Sequence, residues 1–547
     1  MQKLFNSRYY LHLLIFLFFL LYFLFPTQNS SIDAYNYAAN VKWNHDIFFP
    51  HHLFHNFLAF IIIKCVNLFT YQIDVLVWMK FLNAFFAALT LLVFSKILSD
   101  NQKTQSNILP MVLIAGSCFG FMRYATENET YIIPIFWSLL STYFFLKFIT
   151  SNSKKPIFLS GIFAIISCLF HQIHILWYAG IFFGTAFYNK DYKNTLLFLA
   201  PAVLLPIAYY LAFKQPHYEY KLAQNLWQFV FFDYYYGTAR VQFGIDNFVL
   251  GFISFVRSFI QVHGIIPYLI KENYFYALAT APLLFAAYQL IKECILNMCL
   301  PRYDTNFKSS LTKVSFGLKL ALRLASNYLR YIFKYHSFNK FDKIKSNLFV
   351  QTLIIIFSLH LVFAIFSKGN MEFMVMLPLL LLLIINGLIY IKPAIYLILG
   401  ISILIWNLSF ALIPNHFYDF QNQEKMIQLI NNKKDAIFIL SDDVLVQNMI
   451  YYGTGIRWNT KIYKSPASLK QLNKSTEILR AKIDSCLLNN IKIITDCIDE
   501  PKVMSRKQYL SANENELFFK DYSFVKIDSV CSLIGIKHIS SINKLSK

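Results

Sequence analysis

The feature that most constrains the fold is a series of apolar segments, each of about 20 residues, separated by short polar or basic stretches. A helix of that length crosses the hydrocarbon core of a bilayer. The composition agrees, because 57% of the residues are hydrophobic and only 14% are charged, whereas soluble chains carry about 25% charged residues. The sequence therefore predicts a polytopic α-helical membrane protein.

We predict about eleven spans in the N-terminal membrane domain, residues 1–413. The predicted spans are 9–26, 74–97, 107–122, 131–149, 156–170, 173–188, 195–213, 275–293, 348–366, 371–391 and 394–413. The spans 156–170 and 173–188 are joined by the sequence HQIH, residues 171–174. Basic clusters flank the pair on both sides, which favours two short spans over one long helix. Residues 247–268 contain Arg257 and are predicted to form an interfacial amphipathic helix rather than a span.

The formal net charge of +21 has a topological explanation. Residues 302–347 alone carry ten basic and two acidic residues, and cytoplasmic loops of membrane proteins are enriched in Lys and Arg. This places the N-terminus inside and the C-terminus outside, in the inner (plasma) membrane. The charge is therefore no evidence for a nucleic-acid partner, and none is expected.

Residues 414–547 have the composition of a soluble domain, with 19 basic and 14 acidic residues. Short apolar runs at 436–440, 491–495 and 524–527 alternate with helical patterns such as 468–483, which predicts an α/β domain with a partly parallel sheet. With the predicted topology this domain is extracytoplasmic, or periplasmic. It either covers the active site or recognises an acceptor.

Ionisable residues gather on the predicted outer loops, where their cost is lowest and a reaction in water is possible. In the first outer loop, 27–73, Asp33 follows the first span by a few residues and is followed by Tyr35. A carboxylate at this surface is suited to take a proton from an acceptor. The alternative is that Asp33 only caps the helix that begins there.

Histidines follow in the same loop. His51 and His55 are four residues apart, which places them on one face of a helix, and Asp46 is near in sequence. With Asp46 they form a possible divalent-metal site. The alternative is that these imidazoles hydrogen-bond lipid or substrate phosphate; no other cofactor is predicted.

The second outer loop places Arg123 beside Glu127 and Glu129. An arginine binds phosphate in bidentate fashion, and a glutamate binds sugar hydroxyls or a metal. The alternative is an Arg–Glu pair that closes a helical hairpin.

Further candidates for substrate binding lie on later outer loops. His171 and His174 either neutralise a phosphate or are ordinary interfacial histidines, and Arg240 lies in the long outer loop 214–274 beside three tyrosines. Lys368 precedes the predicted span 371–391, and Glu372 lies at its start.

These motifs resemble the glycosyltransferase-C superfamily, in particular its branch of protein O-mannosyltransferases and lipid A aminoarabinose transferases. The similar elements are Asp33-Ala34-Tyr35 after the first span, the helix that starts at Pro50, the acidic hairpin with Glu127 and Glu129, and the segment MEFMVMLPLLLLL from Met371. The sequence differs from the family pattern where histidines replace paired prolines and Glu372 replaces a late arginine.

The resemblance implies a membrane glycosyltransferase. Such enzymes move a sugar, with inversion, from a polyprenyl-phosphate donor in the membrane lipid to an extracytoplasmic glycan, lipid or protein acceptor. Asp33 corresponds to the catalytic base, and Glu127 or Glu129 to the acid of the second loop. The alternative function is a transporter, or a flippase or polymerase of lipid-linked glycans. Transporters usually have repeated halves and ionisable groups near the middle of the membrane, and this sequence shows neither.

Overall fold

A computed structural model of the chain describes residues 8–544 apart from short gaps and one long gap. The residues outside the description are 70–72, 102–106, 152, 188–191, 217–219, 237–243, 263–264, 300–339, 389–390, 421, 502–505 and 534. Most of the basic stretch 302–347 and all of the segment around Arg240 therefore lie outside the described residues.

The described part of the first 417 residues is almost entirely helical. Its α-helices are Arg8–Leu24, Ile32–Trp43, Leu53–Val66, Val75–Asn101, Ile108–Ser117, Phe119–Ala125, Ile132–Ser151, Lys154–Phe170, Ile175–Phe187, Tyr192–Leu199, Leu204–Phe213, Leu226–Val230, Phe232–Tyr235, Ile245–Phe259, Ile266–Glu272, Thr280–Cys299, Lys340–Phe366, Leu377–Leu388, Pro393–Asn407 and Ile413–Phe417.

Within the described ranges, seven helical segments are long and apolar enough to cross a membrane, and a bent pair of helices raises the number to eight. The seven are Val75–Asn101, Ile132–Ser151, Tyr192–Phe213, Tyr274–Lys292, Leu348–Phe366, Met371–Leu388 and Pro393–Phe417. All seven match predicted spans, and together they fit a polytopic membrane fold. The total of eleven and the orientation of the ends stay predictions.

The four remaining predicted spans form shorter or broken helices. Arg8–Leu24 has 17 residues and ends before Pro26. Residues 107–122 are not one helix: Ile108–Ser117 and Phe119–Ala125 meet at 65°, because Cys118 has an extended conformation. The prediction of two helices around HQIH is confirmed, since Lys154–Phe170 and Ile175–Phe187 are separated by the 3₁₀ turn Gln172–His174.

The predicted interfacial helix, 247–268, is observed only in part: one helix covers Ile245–Phe259, Ile260 is extended, and a second helix begins at Ile266. The apolar side chains Ile245, Phe248 and Phe252 of the first helix are exposed, as expected for a helix that lies on a membrane surface. At Gly369, which has a φ of 65°, the chain passes so close to this helix that an added Cβ would come within 2.4 Å of the backbone of Leu250. The turn that leads to Glu372 is thereby held against the helix.

After residue 417 the described chain forms five helices and a five-stranded mixed sheet. The helices are Glu424–Asn432, Asp443–Thr454, Pro466–Gln471, Glu477–Leu488 and Arg506–Phe519, and the strands are β1 (Ile437–Leu440), β2 (Ile462–Lys464), β3 (Ile493–Pro501), β4 (Tyr522–Ser532) and β5 (Gly535–Lys544). The order is β2-β1-β3-β5-β4, with β2, β1 and β3 parallel and β5 antiparallel to both of its neighbours.

Every residue of β1 is buried, because helices cover both faces of the sheet. Phe438 and Leu440 pack with Met426 and Val446 on one face, whereas Ile437 and Ile439 pack with residues of Glu477–Leu488 and Arg506–Phe519 on the other. The three apolar runs of the sequence all lie on strands, and the partly parallel α/β sheet is confirmed. The helical pattern 468–483 is interrupted at Asn473, which has a φ of 54°.

Candidate active site

The Asp33 helix, Ile32–Trp43, is positioned by Ser31. The Ser31 Oγ accepts a hydrogen bond from Ala34 N at 2.9 Å and so caps the helix. Asp33 lies in the first helical turn and its side chain is exposed. The alternative that Asp33 itself is the cap is therefore wrong, and its carboxylate is accessible at the positive end of the helix dipole.

The acidic hairpin, residues 126–131, packs against the start of this helix. Its residues Glu127, Asn128 and Glu129 are buried. The amide of Asn83, on the helix Val75–Asn101, donates to the carbonyl oxygens of Glu127 (2.6 Å) and Glu129 (2.8 Å). These bonds fix the backbone of the hairpin to a membrane helix.

Three further hydrogen bonds join the hairpin to the Asp33 helix. Ser31 Oγ donates to Glu129 Oε1 at 2.5 Å, Ser31 N donates to Glu127 Oε2 at 3.2 Å, and Asn128 Nδ2 donates to Ala34 O at 2.8 Å. The structure thus brings the two acidic motifs of the sequence together, although they are almost one hundred residues apart.

Burial raises the pKa of Glu129 well above its ordinary value, and the nearby charges of Asp33 and Glu372 raise it further. Glu129 therefore holds its proton to a higher pH than an exposed glutamate does. Glu372 lies on the 3₁₀ turn Met371–Met374, where Tyr131 donates to its Oε2 at 2.8 Å and Asn370 donates at 3.0 Å. The late acidic residue of the sequence is thus part of the same cluster.

Arg123 is held by neighbouring protein groups. Its guanidinium pairs with Glu127 at 3.7 Å and donates to Thr27 Oγ1 at 3.3 Å, Asn415 Oδ1 at 3.2 Å and Asn29 O at 3.4 Å. The geometry is that of the Arg–Glu pair, the structural alternative for this loop. A role for Arg123 in phosphate binding stays a prediction.

Four histidines lie beside the acidic cluster. The ring of His52 is 5.9 Å from that of His171 and 6.4 Å from that of His55, and His171 lies 5.3 Å from Tyr131. The fourth, His51, pairs with Asp233 at 3.1 Å. Burial lowers the pKa of His171 to about 3 and that of His52 well below its ordinary value, so both rings are neutral.

The possible metal site is not assembled. Asp46 forms an ion pair with Arg457 at 2.5 Å, and His55 Nε2 faces Asn128 Oδ1 at 3.3 Å. In the part of the chain that the structure describes, no group of three or more His, Cys, Asp or Glu side chains is arranged to hold a metal ion. The predicted helix from Pro50 begins instead at Leu53, so His51 lies before it and does not share a helix face with His55, while Asp46 pairs with Arg457 of the C-terminal domain.

The other predicted residues have varied surroundings. His174 is buried, with its Nδ1 2.7 Å from Ser138 Oγ. Tyr35 packs edge-on against Tyr452 with ring centroids 6.2 Å apart, and Lys368 is exposed. Arg240 lies outside the described residues, so its position relative to the acidic cluster is untested.

Arg257 is a half-buried cation near the acidic hairpin that the sequence prediction did not include among the site residues. Its guanidinium lies 5.6 Å from the centre of the Phe119 ring, and the buried Nε of this half-buried residue has no hydrogen-bond partner among the described residues. Phe119 lies on the same short helix as Tyr124, whose ring is 5.0 Å from that of Tyr131 in the acidic hairpin. The signal in the sequence was a single arginine in the otherwise apolar helix Ile245–Phe259.

Neither the protein-family models nor the curated proteins include a match to this chain. Among solved structures, the chain is similar to ArnT from Cupriavidus metallidurans in the apo state. The two are 11% identical, the alignment covers 95% of this chain and 96% of that one, and the TM-score is 0.42. A likeness at this level does not assign the chain to a family.

Proposed function

We propose that this protein is an integral membrane glycosyltransferase that moves a sugar from a polyprenyl-phosphate donor to an extracytoplasmic acceptor, with Asp33 as the general base. The observation that carries the proposal is the position of Asp33. It is an exposed carboxylate in the first turn of a helix, and it lies beside the buried Glu129 at the ends of apolar helices.

The reaction follows from this geometry. Asp33 takes the proton from an acceptor hydroxyl, whose oxygen then attacks the anomeric carbon of the sugar from the face opposite the phosphate. The new carbon–oxygen bond forms as the bond to the phosphate oxygen breaks, and polyprenyl phosphate leaves with the electron pair. Attack from the opposite face inverts the anomeric centre.

The surroundings of Asp33 suit an anionic leaving group. The raised pKa of Glu129 favours its neutral form, and a neutral Glu129 repels the donor phosphate less than a carboxylate would. Arg257, which makes no hydrogen bond through Nε to the described residues, supplies a cation to the departing phosphate. The neutral rings of His52 and His171 each supply one N–H donor.

The test is transfer of sugar from a polyprenyl phosphate by purified, full-length protein. We expect Asp33→Asn to lower kcat by about 100-fold or more, because general-base catalysis contributes roughly 10²–10⁴-fold, with an unchanged melting temperature. Asp528→Asn, at a half-exposed carboxylate of β4, is the matched control and keeps the wild-type rate. Wild-type transfer by Asp33→Asn would refute the role of Asp33.

A further inference from the structure

The helix that bears Asp33 is too short to hold itself in place. It has 12 residues, of which only Asp33 and Lys42 are charged, and seven residues separate it from the helix Arg8–Leu24. Isolated helices of this length are marginal in water. Its orientation must therefore come from packing against other parts of the protein.

Much of that packing comes from the C-terminal domain. The helix Asp443–Thr454, here called the docking helix, lies directly against the Asp33 helix. At one end Asn448 Nδ2 donates to Ile32 O at 3.0 Å. At the other end Trp43 Nε1 donates to Tyr451 O at 2.9 Å, and Lys42 Nζ donates to Tyr452 O at 3.0 Å. The contacts thus run along the full length of the Asp33 helix.

Tyr451 is the buried centre of this interface. Its ring is fully buried, its hydroxyl donates to Asn40 Oδ1 at 3.0 Å, and the same oxygen lies 2.8 Å from His45 Nδ1. Asn40 is itself buried within the Asp33 helix. A buried hydroxyl with two polar partners fixes the rotation of one helix against the other more tightly than apolar contact does.

An ion pair closes the interface beyond the end of both helices. Gly455, with a φ of 78°, ends the docking helix and lets the chain pass the ring of Trp43, to which an added Cβ would come within 3.2 Å. Arg457 then pairs with the fully buried carboxylate of Asp46 at 2.5 Å. Asp46 has a φ of 37°, a left-handed conformation that non-glycine residues adopt only when surrounding contacts impose it.

The docking helix is also fixed to the membrane part. The Tyr452 hydroxyl donates to Asp74 Oδ1 at 2.8 Å and accepts from Leu76 N at 3.2 Å, at the start of the helix Val75–Asn101. That helix also carries Asn83, which holds the acidic hairpin. The docking helix therefore connects the Asp33 helix to the same membrane helix that positions Glu129.

We propose that the docking helix and Arg457 are positioning elements of the active site, which hold Asp33 at its working distance from the acidic hairpin. The predicted effect on catalysis rests on the proposed function. The predicted effect on the order of the Asp33 helix does not. The Asp46–Arg457 pair joins residues 411 positions apart, and it acts through the Asp33 helix rather than by touching substrate.

The experiment combines hydrogen exchange with steady-state kinetics on the full-length protein in detergent. Arg457→Gln leaves the buried carboxylate of Asp46 without its guanidinium. We expect the amides of 34–43 to exchange at least about tenfold faster, while those of 132–151 are unchanged. We expect kcat to fall by about 100-fold with an unchanged KM for the donor, since small displacements of a catalytic group cost that much.

Arg457→Lys retains the positive charge and should recover most of the loss in both measurements. Lys425→Ala, which removes the exposed pair with Asp528 on the same domain, is the control and changes neither. Unchanged exchange in Arg457→Gln would overturn the proposal, and so would faster exchange at an unchanged kcat. If the wild type transfers no sugar, the proposed function fails while the exchange data still test the positioning role.

Discussion

Ser31 and Glu129 share a hydrogen bond of 2.5 Å between Oγ and Oε1, and this bond joins the helix of Asp33 to the acidic hairpin. The same Ser31 oxygen accepts from Ala34 N and so caps the helix. One hydroxyl therefore both starts the helix and sets its distance from a buried carboxylic acid. This double role makes Ser31 a sensitive probe of the site.

Ser31→Ala should lower both stability and activity. Loss of a side-chain cap costs about 1 kcal/mol, and the Glu129 carboxyl loses its hydroxyl partner. We expect a lower melting temperature and a lower kcat in the transfer reaction. Ser153→Ala is the matched control, because Ser153 is also an N-cap but makes no side-chain cap bond. Equal behaviour of the two variants would contradict the assigned role of Ser31.

The raised pKa of Glu129 makes the stability of the folded protein depend on pH. Its pKa in the folded protein is raised above the ordinary value of 4.5, so the folded state keeps a proton that the unfolded chain releases. Stability therefore declines as pH rises from about 4.5 until the raised pKa is reached, and is level above it. Glu129→Gln is neutral at every pH and should lack this decline.

The measurement is the difference in melting temperature between Glu129→Gln and wild type across that pH range. We expect the melting temperature of Glu129→Gln, relative to that of the wild type, to increase as pH rises. Glu477→Gln, at an exposed carboxylate, should show a constant difference. A constant difference for Glu129→Gln as well would mean that Glu129 is ionised in the folded protein.

The sequence predicted the elements whose signal is local. Apolar runs predicted the helices, as Ile132–Ser151 shows against the predicted 131–149. The catalytic role of Asp33 and the binding role of Glu129 stay predictions. The break at Cys118 was missed, because no proline or glycine occupies that position.

Contacts between distant segments could not be predicted from the sequence. Asp46 was predicted to be a metal ligand from its neighbours in sequence, but its partner is Arg457, which no local pattern connects to it. Arg257 was missed for a related reason, since its importance depends on which groups surround its guanidinium. Such pairings are fixed by the packing of the whole chain.

Substitution of Arg257 should change the reaction with the donor rather than the stability of the fold. If its guanidinium receives the departing phosphate, Arg257→Gln should lower kcat/KM for the polyprenyl-phosphate donor by about 100-fold or more. Arg257→Lys should recover only part of this, because an ammonium lacks the bidentate geometry. Lys271→Gln, at an exposed cation on the next helix, is the control and keeps the wild-type value. An unchanged kcat/KM in Arg257→Gln would remove Arg257 from the proposed site.

The predicted extracytoplasmic position of the C-terminal domain can be tested with a native thiol. Cys531 lies on β4 and is exposed. In a background with Cys65→Ala, Cys294→Ala and Cys299→Ala, a membrane-impermeant maleimide should label Cys531 in intact spheroplasts.

Cys531→Ala in the same background should lose that labelling, and permeabilised cells should label the parent protein to the same extent as intact ones. If Cys531 reacts only after permeabilisation, the domain is cytoplasmic. Because the docking helix belongs to that domain and packs against the Asp33 helix, Asp33 would then face the cytoplasm as well. Labelling of intact cells places both on the side where an extracytoplasmic acceptor is available.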